Sequence, residues 1–192
     1  MVSVVGPQSA GKSFIMNYLF GTLFLSASGR CTKGVYGSVL TYKGKDNKDC
    51  RILVIDTEGI QSAEARDEKF DRQLIFYMIC VSHVVLICNS GEMNTAMAEI
   101  VKLAADAKQN LREEIITNQS VYIILNKLTR VDEQTRVESV GQLRRELIEI
   151  RQQNTLNDVL QIDVNNIFPL GQAFQSENFG PSQEKTVFVA DK

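Results

Sequence analysis

An α/β fold on a six-stranded, mostly parallel sheet, with helices on both faces and one antiparallel strand, is predicted by three observations. Short β-rich runs alternate with longer helical patterns along the 192 residues, the order that builds a parallel sheet through crossover helices. Two of the runs are joined by a polar turn too short for a crossover, so that pair is antiparallel. The first run passes through a glycine-containing loop directly into a helix, and the loop has the form G-x-x-x-x-G-K-[ST].

The elements follow in order. Met1 to Val5 is a strand-length apolar run, and Lys12 to Phe20 a helix. After a stretch rich in Gly, Ser and Thr, Val35 to Tyr42 and Arg51 to Ile55 read as strands, joined by Gly44 to Asp49 as a hairpin. The polar stretch Glu58 to Lys69 leads into a helix carrying Phe70, Leu74 and Tyr77 on one stripe, with Met78 and Val81 beside it. Val84 to Cys88 is a strand, and Thr95 to Glu114 a helix that turns Met97, Ile100, Val101, Ala104 and Leu111 to one face. Val121 to Leu125 is another buried strand. Asp132 to Gln153 reads as the longest helix, with Asp132 as N-cap and Val137, Val140, Leu147 and Ile148 inward. Asn166 to Leu170 supplies the last strand. With no repeat or low-complexity tract, residues 1–192 are expected to form a single domain. A strand at the first residues and a strand-like stretch from Thr186 to Lys192 suggest a domain excised from a longer polypeptide.

Composition narrows the function. The chain carries 21 basic and 23 acidic residues, a balance that argues against a nucleic-acid or membrane-surface binder. No run approaches the roughly 20 apolar residues of a membrane span. Cys31, Cys50, Cys80 and Cys88 have no C-x-x-C spacing and read as reduced thiols of a cytoplasmic protein. The single histidine, His83, has no Cys or His partner nearby in sequence, which argues against zinc.

The decisive motif is Gly6-Pro7-Gln8-Ser9-Ala10-Gly11-Lys12-Ser13, the P-loop of the P-loop NTPase fold, placed between strand and helix as its mechanism requires. Backbone amides of Gly6 to Ser13, and the helix start carrying Phe14, would face a polyphosphate. Lys12 would reach the β- and γ-phosphates, and the Ser13 hydroxyl would join a Mg²⁺ shell. Asp56-Thr57-Glu58-Gly59 ends a buried strand. There Asp56 would hold a metal-bound water and the Gly59 N–H would bond the γ-phosphate. Between the two motifs, Thr32 in Gly29-Arg30-Cys31-Thr32-Lys33-Gly34 is the candidate hydroxyl that completes the Mg²⁺ shell, with Thr22 as its rival. Asn126-Lys127-Leu128-Thr129 stands where a guanine-binding protein usually carries N-K-x-D. Thr129 cannot accept guanine's two hydrogen bonds as a carboxylate does, so an ATPase is the alternative there.

These motifs resemble the dynamin-like large GTPases. The loop from Gly6 to Ser13 looks like the dynamin form. Gly29 to Gly34, Asp56 to Gly59 and Gly91-Glu92-Met93-Asn94 look more like the very large interferon-inducible GTPases, with guanylate-binding proteins and atlastins as more distant relatives. The resemblance spans about residues 1 to 170. It implies a Mg²⁺-dependent, GTP- and GDP-binding domain with switch loops that hydrolyses GTP and forms a homodimer across its nucleotide face. Ile60 occupies the position of the small GTPases' catalytic glutamine. The resemblance therefore assigns orientation of water to Gln8 and the backbone around Thr32, a charge-compensating contact to Ser9, and charge neutralisation to Arg30. Asn126 and Lys127 fall on the base-recognition motif, and Gln61 reads as a solvated loop residue. A nucleotide-dependent assembly module with negligible hydrolysis is the other alternative.

Overall fold

The computed structural model describes residues 1–26, 32–60, 67–91, 94, 97–101, 103, 104, 120–128, 137, 138, 141, 145 and 166–171. Its strands are β1 (Val2–Val5), β2 (Val35–Lys43), β3 (Asp49–Thr57), β4 (Val84–Ser90), β5 (Ser120–Leu128) and β6 (Ile167–Gly171). They form one sheet in the order β2-β3-β1-β4-β5-β6. Only the β2–β3 pair is antiparallel, in register from Val35 opposite Thr57 to Lys43 opposite Asp49. The chain leaves β1 between two parallel neighbours, β3 on one side and β4 on the other. That is the switch point at which open α/β sheets present a crevice beyond their strand ends.

The pleat of the central strands divides the core in two. Val5, Ile55, Val85, Ile87, Val121, Ile123 and Leu125 point to one face, and Val4, Val54, Leu86, Cys88 and Ile124 to the other. Successive side chains of a strand take opposite faces, so near-continuous apolar strands need cover on both. Helix α1 (Lys12–Phe20) covers the second face with Ile15 and Met16. Helix α2 (Glu68–Val81) covers the first with Leu74, Ile75, Met78 and Ile79, assisted by Met97, Ile100, Val101 and Ala104, all in helical conformation. Each buried Val, Leu, Ile or Met side chain in these layers contributes about 1.5–3 kcal/mol.

Three sequence expectations are corrected. Phe70 and Tyr77 lie on the solvent side of α2, because its buried ridges are the i, i+4 pairs Leu74–Met78 and Ile75–Ile79. Val137 is 64% exposed rather than inward. It shares an i, i+4, i+8 line with Gly141 and the exposed Arg145, so that ridge faces solvent. Strands β3 and β5 run two and three residues past Ile55 and Leu125, so Asp56 stands at the carboxyl end of its strand and Asn126 is paired within β5 rather than following it. The remaining inward positions, Leu111, Val140, Leu147 and Ile148, lie outside the described residues, as do Thr129 and Asp132.

Candidate functional site

The Gly6–Ser13 loop hangs from the end of β1, and its backbone is dictated by close approach. Gly6 lies beside the main chain of β4, where an added Cβ would stand 2.0 Å from the Cys88 carbonyl oxygen. Ser9 and Gly11 both have positive φ, 62° and 86°, and Gly11 is the N-cap of α1. No side chain caps that helix start and no acidic residue occupies its first turn. Its first amides are therefore directed at the crevice, the arrangement that suits an anion.

Lys12 is buried, 6% exposed, and its Nζ donates to the carbonyls of Gly6 at 3.1 Å and Pro7 at 2.9 Å. Burial pulls its pKa below the ordinary lysine value, against the opposing charges of Asp56 and Glu58. An ammonium so placed has little water to compete with a phosphate oxygen.

Beside it three oxygen-bearing side chains meet. Asp56 Oδ2 accepts from Ser13 Oγ at 2.6 Å and from Thr32 Oγ1 at 3.2 Å, and the two hydroxyls lie 3.3 Å apart. The other carboxylate oxygen, Oδ1, is buried with no hydrogen-bond partner. Desolvation raises the Asp56 pKa, opposed by the Ser13 hydrogen bond, the Lys12 charge, and the Thr32 and Thr57 hydrogen bonds. A buried, partnerless carboxylate oxygen among hydroxyls fits a hard divalent cation with oxygen ligands, as Mg²⁺ is. Thr22, the rival to Thr32, is engaged elsewhere. It is buried and donates to Asn17 Oδ1, and Asn17 also binds the Phe24 main chain, which ties down the loop leaving α1.

The segment after β3 lies against the loop. A Cβ on Gly59 would approach the Gln8 Cα to 2.5 Å, so only glycine fits. Gln8 N donates to the Ile60 carbonyl at 3.2 Å, and Ile60 N donates to the Gly6 carbonyl at 3.1 Å. Ile60 itself is core. One step earlier, Glu58 holds Gly34 twice: its main-chain N donates to the Gly34 carbonyl at 2.7 Å, and its carboxylate accepts from Gly34 N at 2.8 Å.

On the opposite flank, β5 supports the loop from below. Asn126 is buried, and its Nδ2 donates to the Ala10 carbonyl at 2.9 Å while its Oδ1 accepts from Lys127 N. Cys88 Sγ donates to the same carbonyl at 3.2 Å, with its thiol pKa pushed up to about 12 by burial. Lys127, at φ 63°, turns its Nζ to the Ser9 carbonyl at 2.8 Å. Pairing between β5 and β6 shifts register between Leu125 and Leu128, the irregularity that frees the chain to turn there.

Lys12, Ser13, Thr32, Asp56 and Gly59 are thus gathered in one crevice with Gly6, Gln8, Ser9, Ala10 and Gly11, and Phe14 stands exposed on the first turn of α1. Asn126 and Lys127 meet the underside of the loop. Arg30 and Gln61 lie outside the described residues. Sequence reasoning missed Glu58 and Cys88. Counting the hairpin register from Val35–Thr57 pairs Gly34 with Glu58, and that count was the available signal for the first.

A strand–loop–helix with this lysine and this hydroxyl–carboxylate cluster, at the carboxyl ends of parallel strands, defines a P-loop nucleoside-triphosphate-binding protein. The family model of the URGCP-like GTPase domain matches residues 1–166, and the chain belongs to that family. It is accordingly a GTPase domain of the large-GTPase kind, with a guanine nucleotide as its ligand. Among curated proteins it is 28% identical to mouse interferon-induced very large GTPase 1 over 180 residues, 86% of this chain and 7% of that protein. It is 32% identical to the protein sey1 of Neurospora crassa over 135 residues, 60% of this chain and 15% of that protein. The chain thus spans only a small part of the curated relatives it matches. Among solved structures, the bacterial selenocysteine-specific elongation factor EF-Sec shares the fold, with a TM-score of 0.51, 17% identity, and coverage of 88% of this chain and 25% of that one.

Proposed function

We propose that the domain binds GTP and Mg²⁺ in the crevice above β1 and hydrolyses the γ-phosphate by attack of an oriented water. The observation that carries this reading is the Ser13–Thr32–Asp56 cluster beside buried Lys12, with Asp56 Oδ1 partnerless. Ser13, Thr32 and Asp56 would hold the metal, directly or through water. When bound, Mg²⁺ supplies neutralisation of the phosphate charge that grows toward the leaving group. Lys12 and the amides of the loop and the first turn of α1 stabilise the same charge from the protein side. With Ile60 in the core, water orientation falls to Gln8 and the backbone near Thr32. Ser9 and Arg30 supply further charge compensation at the bridge between β- and γ-phosphates. Loops around Thr32 and Gly59 act as the switches. A second copy pairs across the nucleotide face in the triphosphate state. The free thiols Cys50, Cys80 and Cys88 agree with a reducing, cytoplasmic setting.

Competition of GTP and ATP against a fluorescent guanine nucleotide tests the base, with GTP expected to displace it at far lower concentration. Equal displacement by ATP overturns guanine selectivity. Sedimentation with a non-hydrolysable triphosphate, set beside turnover, separates hydrolysis with dimerisation from assembly with background turnover only.

A further inference from the structure

The antiparallel β2–β3 ladder does not end where its last residues, Val35 and Thr57, face each other. The same register places Gly34 opposite Glu58, and alternation along the ladder makes this a hydrogen-bonded pair, like Tyr36 opposite Asp56. In an ordinary rung of that kind each residue's main-chain N–H donates to the other's carbonyl. Here one half of the rung is ordinary, Glu58 N to the Gly34 carbonyl at 2.7 Å. In the other half the Glu58 side-chain carboxylate has replaced the Glu58 carbonyl, accepting from Gly34 N at 2.8 Å.

That replacement lets two things hold together. The rung is completed, so the chain carrying Thr32, two residues before Gly34, stays registered to the chain carrying Asp56, two residues before Glu58. With Gly34 N taken by the Glu58 carboxylate, the main chain after Glu58 leaves the sheet and brings Gly59 and Ile60 against Gln8 and Gly6. Gly34 takes φ 82°, which turns the incoming loop at the same point. We infer that Glu58 is a positioning residue: its carboxylate holds Gly34, through it the Thr32 hydroxyl on the metal-binding cluster, and so joins the two switch segments into one unit.

This rests on the GTP and Mg²⁺ reading above. In the whole domain, Glu58→Ala is expected to lower kcat and raise the Mg²⁺ concentration for half-maximal rate, each by about 10–100-fold, the range for a residue that orients a ligand. GDP affinity should stay within about twofold of the parent, because the loop floor is untouched. Glu58→Gln keeps an oxygen that can accept from Gly34 N and should restore both quantities most of the way to the parent. A glutamine variant as impaired as the alanine one overturns the inference and assigns the carboxylate a charge or proton-transfer role. An unchanged alanine variant overturns it also. Because Glu58 acts through Thr32, Glu58→Ala combined with Thr32→Ala should be no worse than Thr32→Ala alone, and additive losses refute the coupling. Melting curves of each variant separate loss of fold from loss of positioning. Failure of the GTP reading itself shows differently, as absent Mg²⁺-dependent turnover in the parent.

Discussion

The two flanks of the phosphate loop are built from different materials. On the β4–β5 side, three donors, Asn126 Nδ2, Cys88 Sγ and Lys127 Nζ, reach main-chain carbonyls of the loop, two of them from buried residues. On the β2–β3 side the side-chain contacts are made by carboxylates and hydroxyls, namely Asp56 with Ser13 and Thr32, and Glu58 with Gly34, beside the main-chain bonds of Ile60 with Gln8 and Gly6. A buried donor on a carbonyl has no alternative partner and fixes the loop once folding is complete. A carboxylate with hydroxyl partners can exchange them for a cation or a phosphate-bound water. The difference assigns shape to one flank and response to the other.

The largest expected effect lies between the flanks. Lys12→Ala removes the one buried cation that the loop itself encloses, and should lower kcat/KM for GTP by about 10²–10³-fold, on the scale of losing a transition-state donor. A variant that turned over at the parent's rate would deny Lys12 any part in holding the phosphates. Next is the shape flank. Asn126→Ala leaves the Ala10 carbonyl with the Cys88 thiol as its donor and should cost about 0.5–1.5 kcal/mol in urea unfolding. It should weaken GTP and GDP alike, as titration of each nucleotide will show. Weakening confined to GTP would place Asn126 among the responsive groups instead.

The smallest effect belongs to the responsive flank and has a definite sign. Burial raises the Asp56 pKa, so the folded, metal-free domain holds this proton more tightly than the unfolded chain. The contribution to stability is therefore complete below the ordinary value of 3.8 and is lost as pH rises through the elevated folded value. In chelator at pH 7, Asp56→Asn should melt above the parent by a few degrees, where each kcal/mol is worth about 2–4 °C in a domain of this size. The gap should close near pH 4, and added Mg²⁺ should stabilise only the parent. A parent that melts no lower than the variant in chelator at neutral pH sinks this account of Asp56.

Much of the fold and the phosphate end of the site was legible because each signal was local. A strand-length apolar run, a glycine loop and a lysine at a helix start are neighbours in sequence, and so are the hairpin strands and their turn. Choosing Thr32 over Thr22 needed only the length of chain required to fold back over the phosphates; the Thr32 hydroxyl lies 3.2 Å from Asp56 Oδ2, while Thr22 is engaged with Asn17. What was not legible depended on relations between distant elements. The use of Asn126 under Ala10 joins the end of β5 to a loop 116 residues earlier in the chain. The inward ridge of α2 was misread because Phe70 and Tyr77 are apolar by type, while the sheet accepts the adjacent Leu74–Met78 and Ile75–Ile79 ridges. Glu58 looked like one charge in a polar loop until its rung partner was known.

The pleat of β1 has a further consequence, for the order in which the molecule opens. Val4 and Val5 belong to opposite cores, and β1 is bonded on both sides, to β3 and to β4. Loosening either helical layer alone leaves the strand clamped by the other. Its amides should accordingly be among the last to exchange with deuterium, released only when the whole domain unfolds. The phosphate loop is thus suspended from the slowest-opening strand, while the rung at Gly34 and Glu58 lies at the end of a ladder whose outer strand is the sheet's edge. Thermal fraying can loosen the Gly34–Glu58 end many times over before it reaches the strand that carries the Gly6–Ser13 loop.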